Sequence, residues 1–118
     1  MIEIKSHTDL ELWKQSIELV KETYLLTKSF PADERFGLTQ QMRRSSVSIS
    51  SNIAEGAGRG SKKAFICFLN ISKGSLSELE TQFIIARELQ YTETVEIYLK
   101  RIRRLKALIK GLINMLKK

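Results

Sequence analysis

Residues 65–86 read FICFLNISKGSLSELETQFIIA, and Phe65, Leu69, Ser72, Leu76, Leu79, Phe83 and Ala86 recur in them at steps of three and four. That spacing holds one face of a helix toward one side through three heptads. Phe68, Ile71, Ile84 and Ile85 widen the stripe well beyond a two-helix seam, so the helix must pack against more than one neighbour. Ser61 is placed to cap it, and the spacing predicts a helix over about 61–90.

The same rhythm extends to both sides. Downstream, Val95, Leu99, Ile102, Leu105, Ile109, Leu112 and Leu116 predict a helix over about 94–117, with Thr92 or Thr94 as its cap. Upstream, the run Gly56-Ala57-Gly58-Arg59-Gly60 ends a helix over about 35–56, because glycine tolerates the left-handed backbone that leads a chain out of a helix. Leu38, Met42, Ile49 and Ile53 form the apolar stripe of that helix. Between them lie Ser45, Ser46, Ser48, Ser50 and Ser51, and serine is a mediocre helix former, so close packing must hold the segment. Pro31 sets a turn before it. A first helix over about 9–28 follows Thr8, with Glu11 placed as its capping-box partner. Its core stripe is expected to be Leu10, Trp13, Ile17, Val20 and Tyr24, with a second stripe of Leu12, Leu19 and Leu26.

Four long helices with short connections and a single proline predict an all-α, antiparallel, up-down-up-down four-helix bundle, one domain over 1–118. Leu12, Leu19, Leu26, Phe68, Ile85 and Leu108 are more apolar positions than one bundle needs, which points to a homo-oligomer.

Composition removes several classes of chemistry. One histidine and one cysteine cannot complete a closed zinc site, and the paired Glu-x-x-His units of a di-iron bundle are missing. Cys67 has no histidine on its helix to make it a thiolate, so a buried neutral thiol is expected. Glu78 and Glu80 diverge by about 160° on a helix, which argues against a shared magnesium ion. The three glycines at 56–60 follow no strand and lack the Gly-Lys-Ser/Thr ending of a phosphate loop. No catalytic residue, metal or cofactor is expected. No apolar run approaches the roughly 20 residues that span a bilayer, and a lone cysteine makes the cytoplasm the default location.

Charge is the informative remainder. The formal +7 is distributed as −3 over residues 1–34, +5 over 35–63, −3 over 64–99 and +8 over 100–118. Such segregation favours an anionic partner, since a stretch of like charge attracts phosphate and repels its own kind. On the last helix Lys100, Arg103, Arg104, Lys106 and Lys110 fall opposite the apolar stripe, with Arg101 toward one flank. Arg43, Arg44, Arg59, Lys62 and Lys63 form a second cluster. A basic strip of this length can meet many phosphates of RNA or DNA. Aromatic residues are not interleaved with the basic ones, so backbone contact with weak sequence preference is expected, and no single-strand stacking platform.

The run Arg43-Arg44-Ser45-Ser46-Val47-Ser48-Ile49-Ser50-Ser51-Asn52-Ile53-Ala54-Glu55-Gly56, then Gly58-Arg59, Phe65-Ile66-Cys67-Phe68-Leu69 and Gly74-Ser75-Leu76-Ser77-Glu78-Leu79-Glu80-Thr81, resembles a known family. It is similar to the four-helix bundle proteins encoded in intervening sequences of bacterial 23S rRNA genes, over nearly the whole chain. The resemblance implies a ring of five subunits and no enzymatic activity. It also implies kinship to the accessory variability determinants of diversity-generating retroelements, basic pentamers that bind nucleic acid and a reverse transcriptase, so a docked protein is a second partner to expect. The family usually has proline where this chain has Ser50; serine keeps the amide hydrogen and allows a straighter second helix. Ser48, Asn52 and Glu55, with Glu78 and one of Arg43 or Arg44, are expected to form a polar network at a helix or subunit seam, because buried polar groups need partners and can fix register.

Overall fold

The computed structural model describes His7 and residues 10–118. Among these residues there are four α-helices and no strand: α1 (Glu11–Thr27), α2 (Leu38–Gly58), α3 (Lys62–Glu88) and α4 (Glu96–Leu116), with a 3-10 turn at Ala32–Glu34 before α2. They form a rod of 46 × 23 × 19 Å around one hydrophobic cluster. Its accessible surface, 7277 Å², exceeds the roughly 6,600 Å² of a compact monomer of this mass, as an elongated shape requires. Each helix packs on the next in the chain, α2 against α3 most extensively, and α1 closes on α4 most loosely.

In α1 the two stripes exchange roles relative to the sequence expectation. The buried face is Leu12, Ser16, Leu19, Thr23 and Thr27, whereas Trp13, Ile17 and Val20 are only half-buried and Tyr24 is 39% exposed. Counting apolar residues missed this because three of the core positions carry hydroxyls. Each bonds back to its own helix: Ser16 to the Trp13 carbonyl at 2.6 Å, Thr23 to Leu19 at 2.8 Å and Thr27 to Thr23 at 2.8 Å. A hydroxyl satisfied in this way can sit in a core without an unpaired donor. Leu12 and Leu19, expected as surplus, are therefore core residues, while Ile17, Val20 and Tyr24 are the surplus and Trp13 packs half-buried at the edge of the core. The expected Thr8 cap lies outside the described residues. Glu11 accepts from Gln15 Nε2 at 3.3 Å instead of reaching back.

The turn before α2 is fastened by Glu34. Its Oε1 accepts from the Leu38 amide at 3.1 Å, capping α2, and its Oε2 accepts from the Tyr91 hydroxyl at 2.7 Å, tying this end of α2 to the α3–α4 connection. Tyr91 also lies against Phe30, with ring centroids 5.4 Å apart. The Tyr91 hydrogen bond, then that of the Leu38 amide, lowers the Glu34 carboxyl below its ordinary range; the same bond raises the Tyr91 phenol. A carboxyl lowered by folding contributes stability above its unfolded value and loses it as the pH falls through the folded one. Tyr91→Phe should therefore melt lower than the parent at neutral pH. The gap should close on acidification below the usual carboxylate range, as followed by thermal unfolding at stepped pH, and a gap constant with pH would sink this account.

The serine-rich part of α2 lies against α1 and α3. Ser50, at the family's proline position, is buried and its Oγ is 2.9 Å from Ser16 Oγ. Because Ser16 already donates to Trp13, the proton in that pair comes from Ser50. α2 runs unbroken through this position. Ser72 of α3 donates to the Ile49 carbonyl at 3.0 Å. At Gly56 the two helices nearly touch: a β-carbon there would stand 2.8 Å from Phe68 Cβ and 3.3 Å from the Phe65 carbonyl oxygen.

Gly60, at φ +74, turns the chain into α3, where Ser61 Oγ accepts from the Ala64 amide at 3.0 Å, as expected. α3 ends with Gln90 at φ 62, its amide on the Arg87 carbonyl and the Tyr91 amide on that of Ala86, the usual closing pattern with glutamine in the glycine position. Neither threonine caps α4. Buried Val95 precedes its first turn, and the Thr92 hydroxyl bonds the Thr94 carbonyl. Phe83 of α3 and Tyr98 of α4 stack with centroids 4.9 Å apart. Cys67 is exposed, which corrects the expectation of a buried thiol.

Candidate nucleic-acid interface

α4 buries Leu99, Ile102, Leu105, Ile109, Leu112 and Ile113, so the helical repeat sends its cations outward and to the two flanks. The flanks are paired. Arg101 Nη1 is 2.9 Å from Glu22 Oε1 of α1, and Glu80 of α3 takes Lys106 Nζ at 3.0 Å and Arg103 Nε at 3.8 Å. Burial raises the Glu22 carboxyl more than the Arg101 charge lowers it, so the carboxyl stands above its ordinary range. Lys100 and Arg104 on the outer side, and Lys110 one heptad beyond Arg103, are exposed and have no carboxylate within ion-pair distance among the described residues. Arg104 shares a cleft with Gln15 and Glu18 without pairing.

The second predicted cluster is split along α2. At the C-terminal end Arg59 is held by Glu55 at 2.9 Å and lies 5.1 Å from the Phe68 ring centroid, with exposed Lys62 and Lys63 beginning α3. Toward the other end Arg43 is built into the fold: its Nε donates to Thr27 Oγ1 at 2.9 Å, its Nη2 to the Tyr24 carbonyl at 3.4 Å, and its guanidinium lies 4.6 Å from the Tyr24 ring centroid. Beside it opens a cleft of about 460 Å³ lined by Tyr24, Arg35, Phe36, Thr39, Gln40, Arg43, Arg44 and Val47. Phe36 is 80% exposed, with the Arg35 guanidinium 5.3 Å from its centroid. Aromatic and basic groups are therefore interleaved here, contrary to the sequence expectation. The adjacent pair Arg35-Phe36 was the available signal; Tyr24 arrives only through the packing of α1 on α2.

Of the residues expected at a polar seam, Ser48 and Asn52 are brought together and Glu55 and Glu78 do not join them. Asn52 Nδ2 donates to the Ser48 carbonyl at 2.9 Å and to Ser48 Oγ at 3.0 Å, and Ser48 Oγ meets Ser75 Oγ of α3 at 2.9 Å. Within the chain Glu55 stays outside this network, on Arg59. Glu78 is exposed and lines a 280 Å³ cleft with Arg44, Ser45, Ser48, Ser75 and Gln82, whose Oε1 is buried without a partner among the described residues. Among the described residues no three His, Cys, Asp or Glu side chains are grouped to hold a metal ion, and no helix is long and apolar enough to cross a membrane.

The model of the family described as "23S rRNA-intervening sequence protein" matches residues 8–118. The chain belongs to that family. Its fold is similar to a crystal structure described as a protein with unknown function from the S23 ribosomal protein family of Bacteroides thetaiotaomicron VPI-5482. That match has a TM-score of 0.74 at 24% identity, over 86% of this chain and 97% of the other. No curated protein sequence matches. Within the family match lie both the Ser48–Asn52–Ser75 network and the whole of α4, so neither is an appendage to the common fold.

Proposed function

We propose that this member of the intervening-sequence family is a non-enzymatic, cytoplasmic homo-oligomer, a ring of five antiparallel four-helix bundles, that binds RNA or DNA backbone through basic faces repeated around the ring. The observation that carries the binding is the exposed side of α4, where Lys100, Arg104 and Lys110 stand without carboxylate partners among the described residues while Arg101 is paired with Glu22, and Lys106 and Arg103 share Glu80. A cation already paired gains little from a phosphate, whereas an unpaired one releases a counterion when it meets one.

Antiparallel packing is supported by pairs that run in opposite order. Ser16 meets Ser50 while Thr27 meets Arg43, Ser48 meets Ser75 while Gly56 faces Phe68, and Glu80 meets Lys106 while Arg87 meets Glu96. Self-association is supported by a largely apolar groove of about 280 Å³ between α1 and α2, lined by Trp13, Ile17, Val20, Val47 and Ala54 among others. Ile71, Ile85 and Leu89 add exposed apolar surface on α3. A groove of this kind also suits a different protein, and a pull-down that recovers one after nuclease treatment would favour that reading. Light scattering with and without an RNA duplex, at several salt concentrations, tests both halves of the proposal. A five-subunit mass, and binding that weakens steeply with salt, are expected; a monomer at micromolar concentration rejects the ring, and binding without a salt slope rejects the backbone contact.

A further inference from the structure

Building on the nucleic-acid reading, we propose that the cleft between the end of α1 and the first half of α2 seats one unpaired nucleotide, its base against Phe36 and its phosphate between Arg35 and Arg44.

Shape and charge both support this occupant. The cleft of about 460 Å³ falls in the usual range for small-ligand sites, about 300–1,000 Å³. Among the described residues its lining carries three arginines and no carboxylate. Arg43 is fixed by Thr27 and the Tyr24 carbonyl, so it supplies standing positive charge at the floor. Arg35 and Arg44 are exposed and make no ion pair among the described residues, which leaves their forks for a phosphate. Phe36 is a ring left in water at the rim, 80% exposed. An exposed ring beside arginines suits a nucleobase, whose π-face stacks on it regardless of sequence. Gln40 on the same wall adds an amide that can donate to and accept from a base edge.

A duplex keeps its bases stacked on one another, so only an unpaired base can use Phe36. This separates the cleft from the α4 face, whose outer cations sit among no exposed aromatic side chain and suit the backbone of any form. The chemistry recognised is a base with its phosphate, supplied either by a single strand or by a free nucleotide.

The test is fluorescence anisotropy with a labelled polyuridine strand of about twelve nucleotides, comparable to the site sizes of single-strand binders, against a polyadenosine–polyuridine duplex of equal length. Phe36→Ala should weaken the single strand about thirtyfold, the middle of the range for one stacked base, and leave the duplex unchanged. Phe36→Trp should restore the strand, and Arg35→Gln should lower its salt slope by about 0.7. Displacement of the strand by uridine monophosphate would support the site with a free nucleotide as its source. No displacement, with the Phe36 dependence intact, would support a strand as the source. Equal loss for strand and duplex, no loss for either, or a changed subunit number in Phe36→Ala by light scattering would each overturn the proposal. If the parent binds the duplex yet Phe36→Ala binds the strand normally, the cleft alone is wrong; if the parent binds neither at low salt, the nucleic-acid reading falls with it.

Discussion

Gly56→Val should lower the stability of the chain by about 3 kcal/mol, the upper part of the range for overpacking a close contact. A β-carbon at this position meets Phe68 Cβ at 2.8 Å, Phe65 Cδ1 at 3.1 Å and the Phe65 carbonyl oxygen at 3.3 Å. Two of these three atoms are backbone or next to it, so no side-chain rotation clears them and α2 must part from α3. Gly56→Ala should lose less, about 1–2 kcal/mol, because alanine recovers roughly 0.5–1 kcal/mol of backbone entropy in a helix while the clash remains. Gly74→Ala and Gly111→Ala are the controls. Nothing among the described residues lies within 4 Å of either new methyl group, so each should gain about 0.5–1 kcal/mol. At about 4 °C per kcal/mol for a chain of this size, thermal unfolding separates the four variants. A parent-like midpoint for Gly56→Val would show that the helices do not approach as closely as described. Loss rather than gain at Gly111 would show that another subunit covers the outer face of α4.

The glycine result bears on how much of this molecule its sequence discloses. The number of helices, their order and the Ser61 cap follow from periodicity and from one cap residue, since both depend on neighbours within a turn or two. Gly56 was legible as a helix terminator but not as the point where two helices touch, because α2 continues through it to Gly58. The stripe of α1 was misassigned for a related reason. Ser16, Thr23 and Thr27 look polar in a linear reading, and only the back-bonds to Trp13, Leu19 and Thr23 make them core residues. Thr92 and Thr94 had the composition of caps, yet buried Val95 decides where α4 begins. Burial outranks the cap preference there, because sealing an apolar side chain is worth more than one exposed hydrogen bond.

The candidate site divides in the same way. That α4 carries its cations opposite an apolar stripe is a local fact, visible in the spacing of residues 100–110. Which of those cations are neutralised is not local, because Glu22 and Glu80 lie on α1 and α3, far away in the sequence. The cleft at Phe36 is less distant in sequence, joining residues from 24 to 47, but it too exists only where the chain turns α1 onto α2.

That distinction between paired and unpaired cations predicts the larger effect on binding. The triple variant Lys100→Gln, Arg104→Gln, Lys110→Gln removes the three unpaired charges of α4 at positions 100–110, and if each meets a phosphate the salt slope for duplex DNA should fall by about 2.7. Between 50 and 200 mM salt that slope corresponds to a roughly forty-fold difference in how much affinity parent and variant lose. The comparison is a second triple variant, Arg101→Gln, Arg103→Gln, Lys106→Gln, which removes the same formal charge from the two flanks. Its cations face Glu22 and Glu80, so their loss should weaken the field at long range but release few counterions, with less than half the change in slope. Ion pairs at a protein surface contribute about 0.2–1 kcal/mol each, and these pairs reach solvent on at least one side, so the comparison variant should still fold, with a slightly lower melting midpoint. Equal slopes for the two variants would mean that net charge alone drives binding and that no face of α4 is in contact. An unchanged slope in the first variant would remove α4 from the interface, and with it the observation on which the proposed function stands.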